Sequence, residues 1–319
     1  MEAEPMTRRE FLPALAAPAM PAQTPRRAQI AITLDLEMSR NFPTWETTHW
    51  DYEKGNLDAA SRNYSAAVAR RVKSRGGVIH CFAVGRVFEQ EDVGWLKEIA
   101  AAGHKIGNHT YDHVYVLARE TRELQFRFQR APWLLRGMSA EEAIVDNIRL
   151  ATAAMKTRLG IEPAGFRTPG GFAEGLSARG DVQRLLLKEG YRWVSAKYAR
   201  HPVDDPRDAY MPAVMKASQP FRYAETGLLE IPMSPVSDIN AFRSGRWTLD
   251  RFLTAVRRGV EWTIENGAVY DLLTHPSCIG VVDPGMKTFD LICDLVDQSR
   301  GRAVIADLDA IADAHPRPL

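Results

Sequence analysis

Cysteine is scarce: Cys81, Cys278 and Cys293 are the only three in 319 residues. A set that sparse and odd excludes a disulfide framework. No apolar run approaches the roughly 18 residues that a membrane-spanning helix needs, so no span is expected. Excess charge is lacking too, since 41 Lys plus Arg face 40 Asp plus Glu and leave a net +1. That balance argues against a nucleic-acid partner, which usually demands a basic surface. No G-x-G-x-x-G or Walker pattern follows the first predicted strand. After residue 27 there is no internal repeat and no low-complexity linker. What remains is ordinary globular material, 45 % hydrophobic and 25 % charged. Its length suits two domains of about 150 residues or one α/β barrel of about 250.

The N-terminus stands apart. Thr7-Arg8-Arg9-Glu10-Phe11-Leu12 precedes a short Ala- and Pro-rich stretch, the pattern of a twin-arginine export signal. Met6 would serve as the start and Ala17-Pro18-Ala19 as a cleavage site, although Pro13 and Pro18 interrupt the apolar region. The expectation is residues 1–26 as signal or disordered N-terminus and 27–319 as the folded domain. Export would place the protein in the periplasm or outside the cell. A non-functional signal would leave it in the cytoplasm.

From residue 28 onward, strand and helix patterns alternate. Apolar runs at 29–35, 78–84, 104–109, 164–167, 192–195, 228–232, 269–274 and 303–306 read as strands. Helical spacing fills the intervals. Asn56 is available as a cap for the first helix, and Ser139-Ala140-Glu141-Glu142 is a capping box. Asp283-Pro284 reads as an N-cap and first-turn proline. Regular alternation predicts a mainly parallel sheet. Seven or eight units favour a closed or nearly closed, distorted (β/α) barrel over an open doubly wound sheet.

Polar residues collect at one end of those strands. Asp35 and Glu37 end the first, His109 and His113 follow the third, Arg167 ends the fourth and His275 the seventh. In a parallel barrel these ends share one face, where such enzymes build their sites. Asp35 and Glu37 lie on one side of a strand because side chains alternate. Two imidazoles four residues apart point the same way on a helical turn, which suits two ligands of one metal. Taken singly, each has a plainer reading: a capped surface histidine pair, a solvated strand end, a loop histidine, a turn with a surface arginine.

Taken together the segments resemble the polysaccharide deacetylase family, built on the NodB homology domain (carbohydrate esterase family 4). Thr33-Leu34-Asp35 matches part of its first motif. His109-Thr110-Tyr111-Asp112-His113 and Arg167-Thr168-Pro169-Gly170-Gly171 match the second and third fully, and Leu273-Thr274-His275 matches the fifth. The resemblance covers residues 28–312 and implies a NodB-like barrel with a divalent metal, usually Zn2+, held by two histidines and a carboxylate. It implies His109 and His113 as ligands, Asp35 as general base, Arg167 as its tether and His275 as general acid. It also implies Leu273 against the acetyl methyl, with Pro169 and Gly170 beside the substrate.

Two departures stand out. Leu36 occupies the place of the usual second aspartate, so Glu37 is expected to supply the carboxylate ligand. The fourth motif is unclear, which leaves Asp238 as a weak candidate to support His275. Trp45 and Trp50, in the loop after the first strand, are expected to stack on sugar rings or to form a local apolar lid. The segment 114–138 carries Tyr115, Phe126, Phe128 and Trp133 with five arginines; it would rim a groove, meet an anionic polymer or contact a second subunit, so a homo-oligomer stays open. The expected activity is removal of N-acetyl groups from a chitin- or peptidoglycan-like polysaccharide. The alternatives are an O-acetyl esterase acting on a polymer such as xylan, a metal-independent amide or cyclic-imide hydrolase, and an inactive sugar-binding barrel.

Overall fold

The computed structural model describes residues 26–38, 54–125, 127–199 and 211–317. Trp45, Trp50 and the twin-arginine segment lie outside the described residues. Strand β1 (Ala28–Leu36) leads to α1 (Ala59–Ser74), β2 (His80–Ala83), α2 (Gly94–Ala101) and β3 (Lys105–Asn108). Next come α3 (Arg127–Arg130), α4 (Ala140–Leu159), β4 (Gly165–Phe172), α5 (Gly180–Lys188) and β5 (Trp193–Lys197). The chain continues through α6 (Met211–Ala217), β6 (Phe221–Arg222), β7 (Leu229–Glu230), a π-helical turn (Ile239–Ser244), α7 (Leu249–Asn266) and β8 (Val269–Thr274). Helices α8 (Pro276–Val282) and α9 (Lys287–Gln298), strand β9 (Ala303–Ile305) and α10 (Leu308–Asp313) complete it.

The sheet order is β6-β7-β5-β4-β3-β2-β1-β8, with β9 also on β1. Every pairing is parallel except β6–β7. Strand β8 pairs with β1 from Gln29 to Leu34, while β9 pairs at Ala28–Ile30 and β2 at Thr33–Leu36. Because β8 occupies one edge of β1, β9 and β2 take successive halves of the other. The curled sheet nearly closes where Ser234, just past β7, meets β8. Ser234 N donates to Asp271 O at 2.9 Å and Asp271 N donates to Ser234 Oγ at 2.8 Å. This is the distorted, nearly closed barrel that the alternation predicted, its seam bridged by hydrogen bonds outside any ladder.

Alternation along β1 sorts its side chains. Ile30, Ile32, Leu34 and Leu36 bury against the helical layer, with residues of α1, α7 and α9. Ala31 faces inward with Phe82, Trp193, Ile231 and, from α10, Leu308 and Ile311. Thr33 and Asp35 continue that inward row toward the carboxyl ends. One barrel end is thus apolar and the other carries the polar residues.

Two helix starts differ from expectation. Asp58, not Asn56, caps α1, accepting from Ser61 N at 2.8 Å. Helix α9 begins at Lys287 rather than at Pro284. Asp283 still serves it, accepting from Lys287 N at 3.0 Å and Thr288 N at 2.7 Å. The Ser139–Glu142 capping box on α4 forms as read. The antiparallel β6 and helix α6 were not anticipated, because a two-residue strand is too short to show a period.

Gly165 opens β4 directly against the fully buried Trp193, and a Cβ there would stand 1.9 Å from the indole ring. Gly165→Ala is therefore expected to lower stability by about 1–3 kcal/mol through overpacking. Urea unfolding followed by tryptophan fluorescence checks this; an unchanged midpoint would show that the ring has room to move.

Candidate active site

The carboxyl ends of β1, β3, β4 and β8 meet at a cavity of about 200 Å³. Asp35, Glu37, His109, His113, Gly170, Leu273 and His275 all line it. Leu273 forms a small apolar cluster there with Tyr198 and Met233. Pro169 is buried beside the cavity without lining it.

Glu37, His109 and His113 place one ligand-type atom each within 4.8 Å of one another, all three side chains being buried. Glu37 Oε2 lies 3.4 Å from His109 Nε2 and in closer contact with His113 Nε2. Leu36, between the two carboxylates, turns into the core as strand alternation requires. His109 Nδ1 lies 2.9 Å from the carbonyl oxygen of Arg167. A carbonyl only accepts, so Nδ1 carries a proton, and Nε2 is the nitrogen turned to the cavity, where a metal would be bound. That Nε2 is buried and makes no hydrogen bond among the described residues. Burial pushes the His113 pKa down to about 4 against the pull of Glu37, so this imidazole is neutral near pH 7. Burial opposes ionisation of Glu37, but its interactions with His113, Lys54 and His109 outweigh this and hold its pKa well below the usual value. Two imidazoles and one carboxylate, with a buried unsatisfied nitrogen between them, fit a divalent metal; the donor types are those of zinc.

The His109–His113 segment is not the helical turn expected from its spacing. It is an irregular loop in which Thr110 (φ +59°) and His113 (φ +57°) both adopt left-handed backbone. Each such residue stores roughly 1–3 kcal/mol of strain. Surrounding hydrogen bonds impose it: Asn108 Oδ1 accepts from Thr110 N at 2.7 Å, Thr110 Oγ1 from Val114 N at 3.0 Å, and Asn147 Oδ1 from Asp112 N at 2.8 Å. The ring centroids end 4.9 Å apart.

Behind this group lies Arg167, fully buried. Its Nη1 donates to Asp35 Oδ1 at 3.0 Å and Thr33 Oγ1 at 2.7 Å. Its Nη2 donates to Asp271 Oδ2 at 2.5 Å and Ser195 Oγ at 3.2 Å. The guanidinium carbon sits 4.3 Å over the Phe82 ring. Burial raises the Asp271 pKa to about 6 even though Arg167 opposes it. Asp35 Oδ2 points toward the imidazoles, 3.8 Å from His109 Nε2.

On the opposite wall, Asp238 holds His275 twice. Its Oδ1 lies 2.9 Å from Nδ1 and its Oδ2 accepts from the backbone N at 2.7 Å. Burial lowers the His275 pKa, but Asp238 more than reverses this and the net shift is upward. Its Nε2 looks toward Glu37 Oε1 at 3.8 Å. Asp238 also caps the π-helical turn 239–244, which brings Arg243 to the cavity wall.

The structure thus gathers Asp35, Glu37, His109, His113, Arg167, Leu273 and His275. It adds residues that sequence reading passed over. Asp271 was visible only as a lone carboxylate inside an apolar strand. Lys54 and Arg243 carried no signal at all. In the 114–138 segment, Val114, Val116, Leu124, Phe128 and Leu135 bury in the apolar cluster that contains Ile144 and Ile148 of α4, while Trp133 stays 70 % exposed.

Residues 54–184 match the polysaccharide deacetylase family profile. No curated protein sequence matches the chain significantly. Among solved structures, a Mycobacterium smegmatis protein assigned as a polysaccharide deacetylase superposes with a TM-score of 0.62 at 16 % identity, covering 97 % of this chain and 98 % of that one. A Pseudomonas aeruginosa PAO1 protein assigned likewise gives 0.62 at 16 % identity, with 90 % of each chain covered. The Puue allantoinase gives 0.63 at 15 %, covering 93 % and 96 %. At such identities the likeness is one of fold.

His109→Ala and His113→Ala are each expected to abolish zinc binding, and Glu37→Gln to weaken it, with the fold retained. Equilibrium dialysis with elemental analysis measures this. Zinc kept at one equivalent in both histidine variants would refute the ligand set.

Proposed function

We propose that this chain, whose residues 54–184 match the polysaccharide deacetylase family profile, is a metal-dependent hydrolase removing N-acetyl groups from amino sugars of a chitin- or peptidoglycan-like polysaccharide, with release of acetate. The observation that carries this reading is the placement of the Glu37–His109–His113 group between an Arg167-tethered carboxylate and an Asp238-tethered imidazole.

Glu37 Oε2, His109 Nε2 and His113 Nε2 would hold the metal. When bound, a divalent cation with three protein ligands supplies Lewis-acid activation of water and of the scissile carbonyl. The remaining work falls to the protein's own groups. Arg167 fixes Asp35 Oδ1 and so leaves Oδ2 on the cavity side to take the proton of the attacking water. Asp238 fixes Nδ1 of His275 and presents Nε2 to the leaving group. Its upward-shifted pKa keeps His275 protonated closer to neutral pH. As the carbonyl carbon gains the water oxygen, the C–N bond breaks and His275 delivers a proton to the departing nitrogen. Leu273, Met233 and Tyr198 offer an apolar wall for the acetyl methyl.

An O-acetyl ester would fit the same groups. An amine is the leaving group that needs protonation most, and the double hold of Asp238 on His275 favours the amide. An inactive sugar-binding barrel would not need both a tethered base and a tethered acid. The Arg8-Arg9 pair supports a substrate outside the cytoplasm.

His275→Ala is expected to keep zinc yet lose about 10²–10⁴-fold in kcat on acetylated chitooligosaccharides or peptidoglycan. Acetate release faster from acetylated xylan than from either would favour the esterase instead. Asp238→Asn removes the charge that raises the His275 pKa, so the alkaline limb of the kcat profile should move to lower pH. A limb that stays in place would exclude His275 as the titrating acid.

A further inference from the structure

A buried lysine stands beside the proposed metal ligands. Lys54 is 1 % exposed, and its Nζ lies 2.9 Å from Glu37 Oε1. The next residue bonds the same glutamate from the backbone: Gly55 N donates to Glu37 O at 2.9 Å. Gly55 has φ +83°, and a Cβ on it would stand 2.6 Å from Arg86 Cβ. The turn that carries Lys54 is therefore locked against the loop after β2.

We propose that Lys54 is a positioning residue for the metal centre: its ammonium takes Glu37 Oε1 and so commits Oε2 to the two imidazoles. This rests on the metal reading above and deepens it. Glutamate has one more rotatable bond than aspartate, so its carboxylate needs an external anchor to present one oxygen reproducibly. The geometry divides the two oxygens between two jobs. Oε1 meets Lys54, and Oε2 meets His109 and His113. Neighbours that orient a ligand in this way typically alter metal affinity 10–100-fold. An ammonium close to a dication also repels it, so the orienting and repelling effects predict opposite outcomes when the charge is removed.

The experiment uses the full chain with Lys54→Met, which keeps the stem and removes the charge, and Lys54→Arg, which keeps a cation. Zinc affinity is measured by chelator competition, and coordination by the visible spectrum of the Co2+-substituted protein. Lys54→Met should bind zinc about 10–100-fold more weakly and change the Co2+ spectrum. Lys54→Arg should recover most of the affinity. Should Lys54→Met fail to give a cooperative melt, Lys54→Gln takes its place. Unchanged or tighter zinc binding with an unchanged Co2+ spectrum in the neutral variant overturns the assignment and leaves the metal reading standing. Failure of the unsubstituted protein to bind zinc or Co2+ overturns both.

Discussion

A guanidinium sealed from water must find partners on several sides, and Arg167 finds them on four strands. It is part of β4, it donates to Thr33 and Asp35 on β1, to Ser195 on β5 and to Asp271 on β8, and Phe82 of β2 covers one face. Its carbonyl receives the His109 Nδ1 proton. One residue therefore ties together the barrel wall, the orientation of the proposed base and the tautomer of a proposed metal ligand. Stripping one partner from such a buried ionic group typically costs about 3–5 kcal/mol. Asp271 also lies where Ser234 closes the barrel. The same interaction thus sets both the shape of the sheet and the geometry at its rim.

Much of this was legible in the chain itself. Long apolar runs with clear stops located eight strands, and strand alternation put Asp35 and Glu37 on one face with Leu36 in the core. The family motifs selected His109, His113, Arg167 and His275; the three histidines line one cavity, and Arg167 lies buried behind it. Local spacing was less informative about the histidine loop. Its two left-handed residues are imposed by Asn108 and Asn147, and Asn147 lies on α4, far along the chain. The partners of buried charge were hardest to foresee. Lys54 and Asp271 matter for what they touch, and neither contact has a sequence period. Asp238 could be named only weakly, because a π-helical turn positions it and such turns have no reliable pattern.

The two walls of the cavity hold their titratable groups by one device. Asp35 gives one oxygen to Arg167 and turns the other inward. His275 gives one nitrogen to Asp238 and turns the other inward. In each pair the outer partner is the more deeply buried, with 0 % exposure for Arg167 and Asp238 against 5 % and 7 % for Asp35 and His275. Preorganisation of this kind settles direction before a substrate arrives. In the proposed reaction it would also set the proton acceptor and the proton donor on opposite walls of a cavity of about 200 Å³.

The double attachment at Glu37 reaches beyond the metal group. Glu37 is bonded at its carboxylate by Lys54 and at its carbonyl by Gly55, so residues 54 and 55 are pinned to the chain just past β1. The Gly55 turn is itself pressed against Arg86. A disturbance of that turn would therefore travel to Glu37 through two bonds at once, which makes positions 55 and 86 levers on the rim of the barrel although neither residue lines the cavity.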